Sequence, residues 1–200
     1  MHCSHSQISL ELEKMSLRNY LDLSTKVIDQ CASLEPAVAK ATWIIVAALE
    51  KNLPLLICGN GGSAADAEHI SGELVGRFLK ERRGYPVICL TSNSAFMTAW
   101  SNDYDYSSVF ERQVEAYGQN GGVLLGISTS GNSLNIVKAF EKAKAMNLQT
   151  IAMTGETGGK LAGIVDVLLN VPSTSTPLIQ QGHICLYHYI CEQIESRIAG

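Results

Sequence analysis

Apolar residues in the first 50 positions recur at three- and four-residue spacing: Leu17, Leu21 and Ile28, then Val38, Trp43, Val46 and Leu49. That period predicts helices. Beyond residue 53 the pattern changes. Short apolar runs, "PLLIC" (54–58), "YPVICL" (85–90), "GVLLGIS" (122–128), "QTIAMT" (149–154) and "VDVLLNVP" (165–172), alternate with amphipathic stretches. The runs are continuous rather than alternating, as in strands covered on both faces. The stretch 132–146, with Ile136, Val137, Phe140 and Ala143, has the spacing of a crossover helix. Strand–helix alternation predicts an α/β fold with a parallel sheet wrapped by helices. A last helix is predicted from "STSTPLIQ" to about Ile198, with Thr176 as cap and Pro177 in its first turn. No repeat, low-complexity tract or linker interrupts the chain. Residues 1–200 are therefore expected to form a single domain: a helical segment (about 8–52) and an α/β core (about 53–200).

Composition narrows the class. Apolar residues make up 46% and charged residues 17% of the 200, a globular balance. The net charge of −4 and pI near 5.7 argue against a nucleic-acid-coating surface. No apolar run approaches the roughly 20 residues of a membrane span, and the start "MHCSHSQISLELEK" lacks the apolar core of a secretory signal. A cytoplasmic protein without membrane or nucleic-acid partners is expected, with "MHCSHS" as a mobile tail. Cys3, Cys31, Cys58, Cys89, Cys185 and Cys191 show no CxxC spacing and are expected to be reduced and structural.

Two loops carry candidate chemistry. "GNGGSA" follows an apolar run and opens a helix, the layout of a phosphate-binding turn. A dinucleotide reading needs an acidic residue at the end of the next strand, which instead ends "ICLTSNS". A triphosphate loop needs a lysine after its last glycine, and here Ser63 follows Gly62. The second loop, "GISTSGNSLN", offers Ser128, Thr129, Ser130 and Ser133 around a helix start. Such hydroxyls suit one compact dianion; the alternative is that they only cap the helix and shape the turn. Both loops would face one crevice of an open sheet, which suits a phosphorylated sugar better than a nucleotide.

Past the first loop, Ala67, Ile70, Leu74 and Phe78 form a packing stripe, with His69 and Glu73 together on an adjacent face. A His and a Glu four apart can share a metal ion, act as an acid/base pair, or form an ordinary solvated pair. The last helix carries Gln180, His183 and His188. Gln180 and His188 are eight residues apart, about 12 Å of helix rise, too far for one small ion on a straight helix. Either the helix is irregular, or one group serves a neighbouring subunit's site. Asn102 and Asp103 in "SNDYDY" fit either sugar binding or turn chemistry.

"CGNGGSAADAEHISGELVGRF", "GISTSGNS" and "VPSTSTPLIQ…H…H", in that order, resemble the sugar-isomerase (SIS) domain family over about residues 10–198, and within it isomerases of heptose phosphates. The resemblance implies a flavodoxin-like three-layer α/β/α sandwich with a five-stranded parallel sheet and N-terminal helices. It also implies a homotetramer with active sites at subunit interfaces and one zinc ion per site. The implied activity converts D-sedoheptulose 7-phosphate to D-glycero-D-manno-heptose 7-phosphate, the first step toward ADP- or GDP-heptose for surface glycans. Carried over by position, Asn60, Gly61, Gly62, Glu73, Asn102, Asp103, Ser128, Thr129, Ser130, Ser133 and Gln180 would contact substrate. His69, Glu73, Gln180 and His188 would hold the metal, and Glu73 and His188 would be the acid/base pair. Where the family often has Arg and Glu around "Ile-Gln", this chain has Leu178 and Gln181.

The alternative within the fold is a non-catalytic protein, a sugar-phosphate sensor or a partner of a replication initiator. In the latter group the late histidine is typically replaced; here His188 is present beside Glu73, which favours the enzyme.

Overall fold

The computed structural model describes residues 16–199. The "MHCSHS" start, Cys3 and the beginning of the expected helical segment lie outside the described residues. Helices α1 (Leu17–Gln30) and α2 (Glu35–Glu50) come first, joined by a 3-10 turn. The chain continues as β1 (Leu55–Gly59), α3 (Gly62–Val75), β2 (Val87–Cys89), α4 (Ser94–Asp103) and α5 (Val109–Tyr117). It ends with β3 (Val123–Ile127), α6 (Leu134–Ala145), β4 (Gln149–Thr154), β5 (Val167–Asn170) and α7 (Thr176–Ile198). The five strands pair in parallel in the order β2-β1-β3-β4-β5. Each apolar run of the sequence supplies one of them.

The pleat sorts the strand residues onto two cores. Leu55, Ile57, Leu125, Ile127, Ile151 and Met153 pack with α1, α2, α3 and α7. Leu56, Cys58, Leu124 and Ala152 pack with α5 and α6. This explains the continuous apolar runs: neither sheet face is left to water. β1 and β3 are neighbours, yet their following helices α3 and α6 cover opposite faces. The winding reverses there, and the loops after these two strands open a crevice at their carboxyl ends.

The structure departs from the sequence pattern in five places. Leu17, Leu21, Ile28 and Trp43 are helical as predicted, but point outward, Leu17 73% and Trp43 64% exposed. The stretch Leu17–Glu50 contains an 18-residue window of mean hydropathy 1.4, long and apolar enough by length and composition to cross a membrane. Its apolarity has a core-forming cause in α2, where Val38, Ala41, Ile44, Ile45, Ala48 and Leu49 are buried. Helix α3 stops at Val75, so Phe78 lies beyond it, although still against the same core. Asn102 and Asp103 end helix α4 rather than forming a turn. Thr176 is the first helical residue of α7, and the capping position falls on Ser175, whose side chain makes no cap bond. All five described cysteines outside the tail are free thiols.

Two buried polar contacts fasten α7 to the rest. The Glu195 carboxylate, 2% exposed, accepts the backbone N–H groups of Phe78 (3.0 Å), Leu79 (2.6 Å) and Lys80 (2.8 Å) and the Nε of Arg82 (3.1 Å). Arg82 in turn donates to the carbonyls of Glu73, Leu74 and Gly76, closing the open end of α3. Burial works to raise the Glu195 pKa, but the three N–H groups and Arg82 outweigh it and hold the carboxyl below its usual range. At the other end of α7, the fully buried His183 places Nε2 3.0 Å from the Thr154 carbonyl. Burial pulls its pKa down to about 4, against that hydrogen bond, so it is neutral and Nε2 donates.

Glu195→Gln is expected to destabilise the protein by about 3–5 kcal/mol, because Arg82 is left as an uncompensated buried charge. Urea unfolding at pH 7 measures this. The carboxyl's lowered folded pKa means its contribution is present above the unfolded value of about 4.3 and lost as pH falls through the folded one. The gap between wild type and variant should therefore narrow in acid. His183 acts in a different window. Its folded value of about 4 lies below the unfolded value of about 6.5. Between them the unfolded chain binds the extra proton, so stability falls as pH drops from about 6.5 to 4. Wild type should lose more stability than His183→Asn over that interval in paired urea titrations.

Candidate active site

His69 and Glu73, one turn apart on α3, meet His188 of α7 in a single cluster. His69 Nε2 lies 3.1 Å from Glu73 Oε1 and 3.4 Å from His188 Nε2. One donor atom from each of the three falls within 4.8 Å of the others. Two imidazoles facing each other nitrogen to nitrogen can share at most one hydrogen, and the carboxylate beside them adds negative charge. Tetrahedral bonds of about 2.0–2.1 Å would separate two nitrogen ligands by about 3.4 Å, so the residues present fit a small divalent cation.

The surroundings hold both imidazoles. Phe78 stacks on His188, with centroids 5.9 Å apart and planes at 23°, and Phe78 is itself fixed through its N–H on Glu195. The Tyr187 hydroxyl lies 3.0 Å from His69 Nδ1. Burial first, and then the Asp66 charge, push the Tyr187 pKa up, so it remains a phenol. Asp66 is also raised, by burial, with the Tyr187 hydrogen bond and His69 pulling the other way.

At the crevice, Asn60 and Asn135 exchange two amide hydrogen bonds of 2.9 Å each. Tyr106 donates to Asn60 Oδ1 at 2.7 Å. The loops after β1 and β3 are thus tied directly across the reversal of winding. Gln180 packs its amide against Gly62 at the start of α3, where a Cβ would collide with it. It does not share the position of His188 on the continuous helix α7, so the separation read from the spacing persists within one chain.

In the serine loop the Ser128 and Ser133 hydroxyls lie 3.1 Å apart. Ser133 is the N-cap of α6 yet makes no side-chain cap bond, so capping does not account for it. Ser130 accepts the Asn132 N–H and does shape the turn. Gly131 has φ +65° and lies so close to the Gly158 carbonyl that no side chain fits. Thr129 and Ser130 line a cavity of about 280 Å³ together with Thr157, Ser173, Thr174 and Thr176. Asn102 and Asp103 are exposed and bonded to each other at 2.9 Å.

Sequence reasoning missed Asp66, Phe78 as a stacking partner, Tyr106, Asn135 and Tyr187. Asn135, in "SGNSLN", stood inside a recognised loop and could have been singled out. The others act across more than 40 residues of chain, with no local signal.

Comparison with known proteins agrees with this fold. The SIS domain profile matches residues 19–155. The phosphoheptose isomerase of Crocosphaera subtropica is 49% identical over 168 residues, 84% of either chain. The structure of phosphoheptose isomerase from Neisseria gonorrhoeae superposes with a TM-score of 0.85 at 38% identity, covering 90% of this chain and 97% of that one. The one from Francisella tularensis gives 0.88 at 37% identity, covering 93% and 98%.

Proposed function

The chain belongs to the SIS-domain family, among its phosphoheptose isomerases, and we infer from this that it interconverts D-sedoheptulose 7-phosphate and D-glycero-D-manno-heptose 7-phosphate. The observation that carries the mechanism is the meeting of a carboxylate and two imidazoles from α3 and α7. The product would open a route to nucleotide-activated heptose for surface glycans, in the cytoplasm.

Moving a carbonyl from C2 to C1 requires a proton to leave C1 and another to arrive at C2, through an enediol. It also requires a proton to pass from one oxygen to the other. Glu73 takes the carbon proton and returns it to the neighbouring carbon. Only its Oε1 is hydrogen-bonded among the described residues, which leaves Oε2 for that task. His188 gives a proton to the C2 oxygen and removes one from the C1 oxygen. Thr129, Ser130 and the paired hydroxyls of Ser128 and Ser133 hold the phosphate. Asn60, Gly61 and Gly62 line the sugar body, with Asn102, Asp103 and Gln180 as further contacts. Anchoring the far end of the substrate places the reacting end, so phosphate binding contributes to rate as well as affinity. His69, Glu73 and His188 would hold zinc, with Gln180 as a fourth ligand; the ion would polarise the carbonyl and stabilise negative charge on oxygen.

A homotetramer is part of the proposal. Leu17, Leu21 and Ile28 on α1, Trp43 on α2, and Ile184 and Tyr189 on α7 are exposed in one chain. A groove of about 380 Å³ lined by Ile28, Val38, Leu186 and Tyr189 runs between these helices. Exposed apolar surface of this extent suits subunit contact. It also accommodates the separation of Gln180 from His188, if the site is completed by a neighbour.

Incubation with sedoheptulose 7-phosphate should yield the aldoheptose 7-phosphate. Glu73→Gln and His188→Gln should each lower kcat by at least about 100-fold with the assembly intact. Wild-type protein that binds the ketose without converting it would instead support the sensor reading. Light scattering after gel filtration should find four copies of the 21.6 kDa chain; a monomer would sink the shared-site proposal. Elemental analysis of protein purified without chelator should find about one zinc per chain.

A further inference from the structure

A closed ring of polar contacts passes through the crevice, and the reaction scheme uses only Asn60 among its members. Asn135 and Lys138, three residues apart on α6, are neighbours on that helix's surface. From Asn135 the ring crosses to Asn60. Asn60 Nδ2 donates to Asn135 Oδ1 and Asn135 Nδ2 donates to Asn60 Oδ1, both at 2.9 Å. Asn60 Oδ1 also accepts the Tyr106 hydroxyl at 2.7 Å. Tyr106 opens a 3-10 turn, Tyr106–Ser108. Asp105 caps that turn, accepting the Ser107 N–H and the Ser107 hydroxyl at 2.8 Å each. Lys138 Nζ donates to Ser107 Oγ at 2.6 Å and closes the ring on α6.

We propose that Tyr106 is a positioning residue for substrate binding: together with Asn135 it holds the Asn60 amide so that Asn60 meets the sugar only as a hydrogen-bond donor. A backbone group sets the orientation. The Ile136 N–H lies 3.0 Å from Asn135 Oδ1, and an N–H cannot bond to an amide NH2, so the acceptor end of Asn135 is fixed there. Asn135 Nδ2 is then the atom that faces Asn60 Oδ1, and Asn60 Nδ2 the atom that faces Asn135. An amide oxygen has two lone pairs, and both on Asn60 are taken, one by Asn135 and one by Tyr106. Of the two amide hydrogens on Asn60, Asn135 takes one, and the other has no partner among the described residues. Tyr106 is 48% exposed, where a single hydrogen bond would hold it loosely. Closure through Ser107 and Lys138 fixes the turn that carries it. The role in substrate binding rests on the reading of Asn60 as a sugar contact.

The test offers sedoheptulose 7-phosphate to the full-length protein and reads two quantities: the Kd by calorimetric titration, which needs no turnover, and the initial rates. Tyr106→Phe keeps the aromatic ring and removes the hydroxyl. It should raise Kd and KM about 5-fold, with kcat within about 2-fold of wild type. Asn60→Ala should raise Kd about 10-fold. Adding Tyr106→Phe to it should cost nothing further, because the tyrosine acts through Asn60. By the same logic Ser107→Ala should weaken binding in the wild-type background and change nothing in Tyr106→Phe. Asn60→Asp, which turns an acceptor toward Asn135 and the sugar, should bind more weakly than Asn60→Ala. Full additivity of Tyr106→Phe and Asn60→Ala, a fall in kcat at unchanged KM in Tyr106→Phe, or Asn60→Asp binding like wild type would each overturn the proposal. Wild type that binds no ketose would overturn the reading of the site along with it, whereas wild-type binding with additive variants overturns the role of Tyr106 alone.

Discussion

The Glu195 carboxylate and the Arg82 guanidinium, both almost wholly withdrawn from water, hold the end of α3 against the last helix. Charges so buried are tolerated only where each remaining polar atom finds a partner. Here Glu195 takes three backbone N–H groups and Arg82 takes the carbonyls that end α3. The junction sets the relation of α3 to α7, and the proposed chemistry lies between those helices. His69 and Glu73 come from one, His188 from the other. Phe78, which stacks on His188, belongs to the very segment that Glu195 grips.

The sheet imposes a second constraint. Because the helices after β1 and β3 leave on opposite faces, their loops meet at the carboxyl edge with room between them. The reciprocal Asn60–Asn135 amide pair fastens the loops together, and Tyr106 adds a third side. The serine loop is braced from beneath by the close approach of Gly131 to Gly158. The proposed division of labour, a braced anchor for one end of a substrate and a cluster of titratable groups elsewhere, suits the isomerisation of a sugar phosphate. Binding energy from the inert end orients the reactive one.

Much of this arrangement was legible along the chain. The continuous apolar runs became the five strands, since burial on both faces leaves no polar period to interrupt them. The glycine and serine loops were recognisable because they follow strands and open helices. The His69–Glu73 pair was visible through helical spacing. The apolar period of α1 correctly signalled a helix, but not where its apolar side faces, because Leu17 and Leu21 have no cover among the described residues. Phe78 was placed in a helix by its period, yet Gly76 and the Glu195 clamp end that helix first.

The sequence by itself determined the class of fold, the two loops and the types of residue available for chemistry, because these depend on local periodicity and on neighbours a few positions apart. Tertiary structure alone decided which of those residues meet. His69 and His188 are separated by 119 positions, as are the partners Tyr187 and Asp66 by 121; no periodicity spans such distances. Their encounter follows from how α7 packs on α3, which is governed by burial of apolar surface and by the Glu195–Arg82 contact. The hydrogen bond behind His69 is a product of that packing, and so is the direction in which its Nε2 points.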